Sequence, residues 1–495
     1  MTQFVLAIDE GTTGATAALM DQTGLVRAKA NVEFPQIYPQ PGWVEHDPEA
    51  IWDAVRKAIR AVLRKKVCKP AQIAAIGITN QRETALLWDK TSGEAFHNAV
   101  VWQCRRTTDF CNSLKEAGHE KTIREKTGLV LDPYFSASKY RWLLKNAKGA
   151  KQALRQGSVL AGTIDSYLIW RLSAGRAHVT DISNASRTSL MNLATGAWDD
   201  ELLALFDVPR SILPAIEPSS GILGYTEGLA ELPDGIPIAG VAGDQQAALF
   251  GQTCFNVGEA KCTFGTGSFI LMNTGKELLF SNAGLLSTVA WQLGDSKPVY
   301  ALEGGAFVCG AAVQWLRDGL QIIKKAPDVE KLAASVPDHG GVEFVPALTG
   351  LGAPHWAPDA RGTITGLTRG STRAHIARAT LDAIALQNAE ILQAMERDLG
   401  KRMKPLRVDG GAAVNDLLMQ TQADVLGRRL IRPRLIETTV AGACYLAGLG
   451  VGLWRSNAEL RKVWQADREF TVAMKPAARR GRLASWQKAV QRALL

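Results

Sequence analysis

A chain of 495 residues, 46% hydrophobic and 21% charged, has the composition of an ordinary soluble globular protein and exceeds a single typical core, so two large domains or about three smaller ones are expected. Its net charge of +9 comes from basic residues that are dispersed apart from Arg428-Arg429, Arg432, Arg434 and the tail Lys475 to Arg492, which does not make a nucleic-acid surface. Seven cysteines, an odd number without Cys-x-x-Cys spacing, fit reduced thiols rather than a disulfide or metal framework.

Phe4-Val-Leu-Ala-Ile8 predicts a buried strand, entered directly from Met1-Thr-Gln with no secretory leader, so the expected compartment is the cytoplasm. The strand runs into Asp9-Glu10-Gly11-Thr12-Thr13-Gly14. A strand ending in Gly and Thr offers backbone N–H groups and hydroxyls at one point, which suits phosphate oxygens. Asp9 there can hold Mg²⁺, directly or through water, or simply cap the turn. A helix follows, capped by Asp47 with Pro48 in its first turn and Ile51, Val55, Ile59 and Val62 on one face.

Two further strands, Ile73 to Ile78 and Thr84 to Trp88, are separated by Asn80-Gln81-Arg82-Glu83-Thr84. Arg82 beside Glu83 offers donors and acceptors together, as a small polyhydroxy ligand requires. A plain hairpin would more often carry Gly, Asn-Gly or Pro. Trp102 to Arg106 and Asp132-Pro-Tyr134-Phe135 add aromatic faces, or serve as core and turn packing. Farther on, the strand Ile236 to Ala242 meets Gly243-Asp244-Gln245-Gln246, where Asp244 either takes the proton of a substrate hydroxyl or caps a helix.

The second half repeats this outline. Phe264-Gly265-Thr266-Gly267-Ser268 is a second phosphate-type turn, followed by the apolar run Phe269 to Met272. A helix starts near Gly310, and a long one spans Thr372 to about Leu399. The strand Leu406 to Val408 breaks at Asp409-Gly410-Gly411, which suits close backbone approach to a flat ligand such as adenine, and a helix opens near Asn415. The uncharged stretch Thr438 to Trp454 falls short of the roughly 20 residues of a membrane span and reads as a buried helix and turn. Leu483, Trp486, Val490 and Leu494 give the basic tail a docking face. The domain boundary is expected near residue 250, with a hinge between closely packed halves.

Taken together, these segments resemble the glycerol kinases of the FGGY carbohydrate-kinase family. The resemblance rests on Asp9 to Thr13, Gly42 to Pro48, Ala75 to Thr84, Val101 to Thr107, Asp132 to Phe135, Asn184 to Arg187, Gly243 to Gln246, Gly265 to Gly267, Gly350 to Pro354 and Val408 to Gly411. It implies an α/β protein of two ribonuclease-H-like domains, residues 1–250 and 251–495, flanking a deep cleft as in actin-like ATPases. The implied reaction is ATP-dependent phosphorylation of glycerol to sn-glycerol 3-phosphate with release of ADP, using Mg²⁺, in a cytoplasmic homo-oligomer (dimer or tetramer). A kinase for erythritol, xylulose or dihydroxyacetone is the nearest alternative, and an actin-like ATPase a more distant one.

On the same resemblance, Arg82, Glu83, Tyr134, Asp244 and Gln245 contact glycerol, Trp102 and Phe269 flank its carbon chain, and Asp244 is the general base. Thr12, Thr13, Gly14 and Thr266 meet phosphates, Asp9 supports Mg²⁺, and Gly310, Gln314, Gly410, Gly411 and Asn415 surround the nucleotide. Two departures stand out. Glu10 replaces a glutamine, and Gly14-Ala15-Thr16 replaces Ser-Ser-Arg. The lost arginine predicts weaker ATP binding or slower turnover, and Glu10 adds negative charge near a polyanion unless it faces away or helps to hold Mg²⁺. A Gly-Lys-Gly-Gly-Thr-Arg loop that some relatives use for sugar-phosphate inhibition is also absent around Tyr225 to Gly235.

Overall fold

The computed structural model describes residues 2–495. Its first sheet runs in the spatial order Ser220–Tyr225, Pro237–Gly243, Ile73–Asn80, Phe4–Gly11, Gly14–Asp21, Val26–Glu33. Phe4–Gly11 and Gly14–Asp21 form an antiparallel hairpin whose register, Asp9 opposite Thr16 and Gly11 opposite Gly14, leaves Thr12 and Thr13 at the tip. Ile73–Asn80 and Pro237–Gly243 then add in parallel. These strands are covered on both faces, which is why they read as near-continuous apolar runs.

The second sheet has the order Leu286–Trp291, Val299–Ala306, Ser268–Gly275, Ala260–Phe264, Leu406–Asp409, Leu430–Pro433, Ala466–Phe470. It follows the same plan: an antiparallel hairpin, Ala260–Phe264 with Ser268–Gly275, extended in parallel by Leu406–Asp409. The fold is therefore two ribonuclease-H-like α/β units. The chain changes sheet between the helix Asp244–Gly251 and the strand Ala260–Phe264.

Two features were not legible in the sequence. Ile73–Asn80 and Ala85–Asp89 are not partners in one hairpin. The second belongs to a separate four-stranded sheet with Glu45–His46, Ala99–Val100 and Val159–Thr163, which has its own apolar core. Asn80 to Thr84 is thus a crossing between sheets. Secondly, the uncharged helix Thr438–Gly450 comes from the second half of the chain but packs on the first sheet. A Cβ at Gly77 would collide with the Ala443 carbonyl, and one at Gly442 with the Ala247 carbonyl. The small residues of this helix are what allow backbone-to-backbone contact at the junction of the halves.

The tail helix Pro476–Ala493 docks through Trp486, Ala489 and Val490, whereas Leu494 lies beyond its end and is exposed. Among the described residues, no helix is long and apolar enough to cross a membrane.

Candidate active site

The two hairpin tips, the crossing Asn80 to Thr84 and the start of the helix Asp244–Gly251 supply the site. Asp244 is the first helical residue, after the cap residue Gly243. Its side chain retains 32% of its exposure, and Arg82 Nε lies 3.1 Å from its Oδ1. Arg82 itself is buried, and its two terminal nitrogens donate to Glu303 at 2.6 and 2.9 Å. Arg187 bridges the same group, donating from Nε to Glu83 at 2.7 Å and from Nη2 to Glu303 at 3.0 Å. Burial alone would raise Glu303, but the Arg187 and Arg82 guanidiniums outweigh it and hold the carboxyl down to about 2. Glu83, with fewer opposing contacts, is raised by burial.

Glu83 sits at φ 61°, a left-handed backbone that costs a non-glycine residue about 1–3 kcal/mol. Its carbonyl is held by Ser136 Oγ at 3.1 Å and Lys139 Nζ at 3.3 Å. The strained position turns the Arg82-Glu83 pair out of the first sheet and toward the second. Tyr134 lies edge-on to Trp102, with ring centroids 5.6 Å apart, and the Trp102 indole N–H donates to Thr12 Oγ1 at 3.1 Å. Tyr134, Trp102 and the first turn therefore form one wall. Gln245 points inward: its Oε1 accepts from Lys261, and its Nε2 donates to Asp244 Oδ2 at 3.3 Å. Phe269 pairs with Thr263 across the second hairpin and with Gly305 of the strand Val299–Ala306 on its other side, and its carbonyl accepts from Lys261 at 3.3 Å.

At the first turn Thr13 is exposed and Thr12 half-buried, while Gly14 is buried within its strand. Asp9 Oδ2 accepts from Thr439 Oγ1 at 2.6 Å. Burial raises the Asp9 carboxyl to about 6, against the lowering effect of Thr439 and with the Asp244 charge raising it further. A buried Asp9 carboxyl whose ionisation is opposed by burial and by the Asp244 charge is what a divalent cation would relieve, so the donor set fits Mg²⁺.

The structure decides between the alternatives left open for Glu10. Neighbouring strand residues point to opposite faces, so Asp9 faces the cleft while Glu10 is fully buried behind it. Gln81 Nε2 donates to Glu10 Oε1 at 2.9 Å, Oε2 has no partner, and burial pushes the carboxyl well above the usual carboxylate range. Its side chain lies buried behind the first turn and does not face the phosphate position.

The second turn is braced by the helix Gly310–Asp318. Gly310 N–H donates to Gly265 O at 2.9 Å and Cys309 N–H to Thr266 O at 2.8 Å, leaving the Thr266 side chain exposed. Gly310 and Gly410 converge on this turn from two sides: a Cβ would lie 2.7 Å from Gly265 O at the former and 2.6 Å from Phe264 O at the latter. Gln314 and Gly411 are exposed beside them, and Asn415 caps the helix Asp416–Leu426 by accepting from Leu418 N–H at 2.8 Å.

A model of the FGGY family of carbohydrate kinases, N-terminal domain, matches residues 4–251, and that of its C-terminal domain matches residues 260–451. The chain belongs to the FGGY family of carbohydrate kinases. Among similar FGGY proteins, the glycerol kinase of Bdellovibrio bacteriovorus is 59% identical over 99% of each chain, and that of Myxococcus xanthus is 54% identical over 99% of each. The structure of Plasmodium falciparum glycerol kinase with ADP is similar at a TM-score of 0.93 and 35% identity, covering 100% of this chain and 99% of that one.

In this FGGY chain, sequence reasoning missed Glu303 and Lys261 and gave no role to Arg187 or to Gln246, whose Oε1 accepts from Arg82 Nη1 at 3.2 Å. Lys261 is fully buried and lowered by burial, and it donates to Thr263 Oγ1 at 2.8 Å. Thr263 in turn donates to Asp409 at 2.5 Å. The available signal was a lone charge inside an apolar strand, in Tyr300-Ala-Leu-Glu303 and in Ala260-Lys-Cys. Such a charge has to be paired when both sheet faces are covered.

Proposed function

We propose that the chain phosphorylates glycerol at the expense of ATP, giving sn-glycerol 3-phosphate and ADP, with residues 1–250 carrying most of the acceptor site, the first phosphate turn and Asp244, and 251–495 the second phosphate turn and the adenosine site. The observation that carries this reading is the Arg82-Glu83 pair, locked by Glu303 and Arg187 next to an accessible Asp244. Glycerol offers little apolar surface, so its recognition depends on hydrogen bonds to its hydroxyls. Arg82 and Glu83 donate and accept, Tyr134 adds a hydroxyl, and Trp102 and Phe269 cover the carbons. Gln245 acts by orienting Asp244.

In this reading Asp244 accepts the proton of the attacking hydroxyl, and Arg82 orients its carboxylate. Thr12, Thr13, Gly14 and Thr266 receive phosphate oxygens. Gly310, Gln314, Gly410, Gly411 and Asn415 line the nucleoside end. Asp9 would hold Mg²⁺, which supplies charge neutralisation at the phosphates when bound. Closure of the halves excludes water, which competes with glycerol for the terminal phosphate. The enzyme is proposed to be cytoplasmic and to form a homo-oligomer.

The test is ADP release by purified protein with Mg²⁺ and ATP, with glycerol, erythritol, xylulose, dihydroxyacetone or no acceptor. Glycerol-dependent release is expected. Equal release without any acceptor, or preference for another polyol or a ketose, overturns the assignment.

A further inference from the structure

A closed circuit of hydrogen bonds joins the first phosphate turn to the aromatic wall of the acceptor site. Gln36 Nε2 donates to the Thr12 carbonyl at 2.7 Å, and its Oε1 lies 2.6 Å from His46 Nε2. The other ring nitrogen, Nδ1, lies 3.1 Å from Gln81 Nε2. Gln81 Oε1 accepts from Thr84 Oγ1 at 2.9 Å, and Thr84 Oγ1 accepts from Trp102 N–H at 3.3 Å. The Trp102 indole N–H closes the ring on Thr12 Oγ1 at 3.1 Å.

Every polarity in this circuit is determined. Gln81 Nε2 has two hydrogens, one given to Glu10 and the other to His46, so His46 Nδ1 accepts. The His46 proton then sits on Nε2 and is given to Gln36 Oε1. That leaves the Gln36 amide to donate to the turn. Burial lowers His46 to about 4, which keeps the ring in the neutral, one-donor form the circuit requires.

Thr12 is thus held on both sides, at its carbonyl through His46 and at its hydroxyl through Trp102. We propose that this circuit couples the two substrate sites, so that a polyol seated against Trp102 sets the first phosphate turn and the nucleotide binds tighter once the acceptor is present. His46 is a positioning residue in this scheme, since it acts through Gln36 and Gln81. The inference rests on the glycerol kinase reading and adds to it an order of commitment: the terminal phosphate is gripped when its acceptor is in place. By linkage, the nucleotide must tighten glycerol by the same factor.

The experiment measures the Kd of a non-hydrolysable ATP analogue with Mg²⁺ by calorimetry on the full chain, with and without saturating glycerol. Glycerol should tighten the wild-type complex about fivefold or more. In His46→Phe, which removes both ring nitrogens, the ratio should fall to about one, with KM for ATP changing more than kcat. His46→Gln, which can donate and accept at once, should restore part of the ratio. Gln36→Leu, at a half-buried position, cuts the same link should His46→Phe fail to fold. A folded His46→Phe or Gln36→Leu protein with the wild-type ratio overturns the coupling, as does a wild-type ratio of one. Loss of glycerol turnover in the wild type would instead overturn the functional reading.

Discussion

Arg82 and Glu303 meet in a two-pronged ion pair at 2.6 and 2.9 Å, and they come from different sheets. Arg82 leaves the first sheet at its crossing, whereas Glu303 stands in the strand Val299–Ala306 of the second. The pair fastens the proposed acceptor site to the other half of the molecule. Removing one member of a buried pair leaves an uncompensated charge, at a cost of about 3–5 kcal/mol. Glu303→Ala should therefore lower the unfolding free energy by that order in urea titrations and raise KM for glycerol. An unchanged urea midpoint would remove the pair from this role.

Asp244→Asn keeps the shape of the side chain and removes its basicity. General-base assistance is worth about 10²–10⁴ in rate, or roughly 3–5 kcal/mol. Turnover should fall by that factor while circular dichroism and nucleotide affinity remain near wild type. Near-full turnover would move the proton acceptor elsewhere.

His46 makes stability depend on acid. Its folded value of about 4 lies below the ordinary 6.5, so between these limits the unfolded chain binds a proton that the native one does not. Its contribution is complete above pH 6.5 and falls as the pH drops toward 4, by about 3 kcal/mol. The stability gap between wild type and His46→Gln should narrow by that order from pH 7 to pH 4 in denaturant titrations. A gap independent of pH would contradict it.

Thr16 lies opposite Asp9 and beside a cavity of about 240 Å³ lined also by Lys29, Asn31, Glu437 and Val440. The cavity has room for a longer cationic side chain. Thr16→Arg should gain a charge-assisted bond to phosphate worth about 1.5–3 kcal/mol, or roughly tenfold or more in ATP affinity. Unchanged affinity and turnover would show that this position does not address the nucleotide.

Of the seven cysteines, six are buried and Cys68 is partly exposed, and none is paired. Burial raises the Cys68 thiol too, so it should react slowly. Iodoacetamide at neutral pH should label one thiol per native chain and all seven after denaturation, read by intact mass. Rapid labelling of several thiols in the native protein would contradict the packing.

Local chemistry was legible in the sequence because it depends on near neighbours. The two Gly-Thr turns, the Asp47-capped helix and the polar run at Arg82 each carry their signal within a few residues. Glu303 and Arg187 could not be assigned in this way, since their partners lie 104 to 221 positions away and only packing selects them. The same holds for the helix Thr438–Gly450. Its uncharged composition announced burial, but which sheet it covers was decided by close contact at Gly77, while Gly442 brings it against the helix Asp244–Gly251. The character of Glu10 was likewise set by tertiary structure. A carboxyl group is an anion beside water and a neutral hydrogen-bonding group in an apolar interior, and the residue name does not distinguish the two.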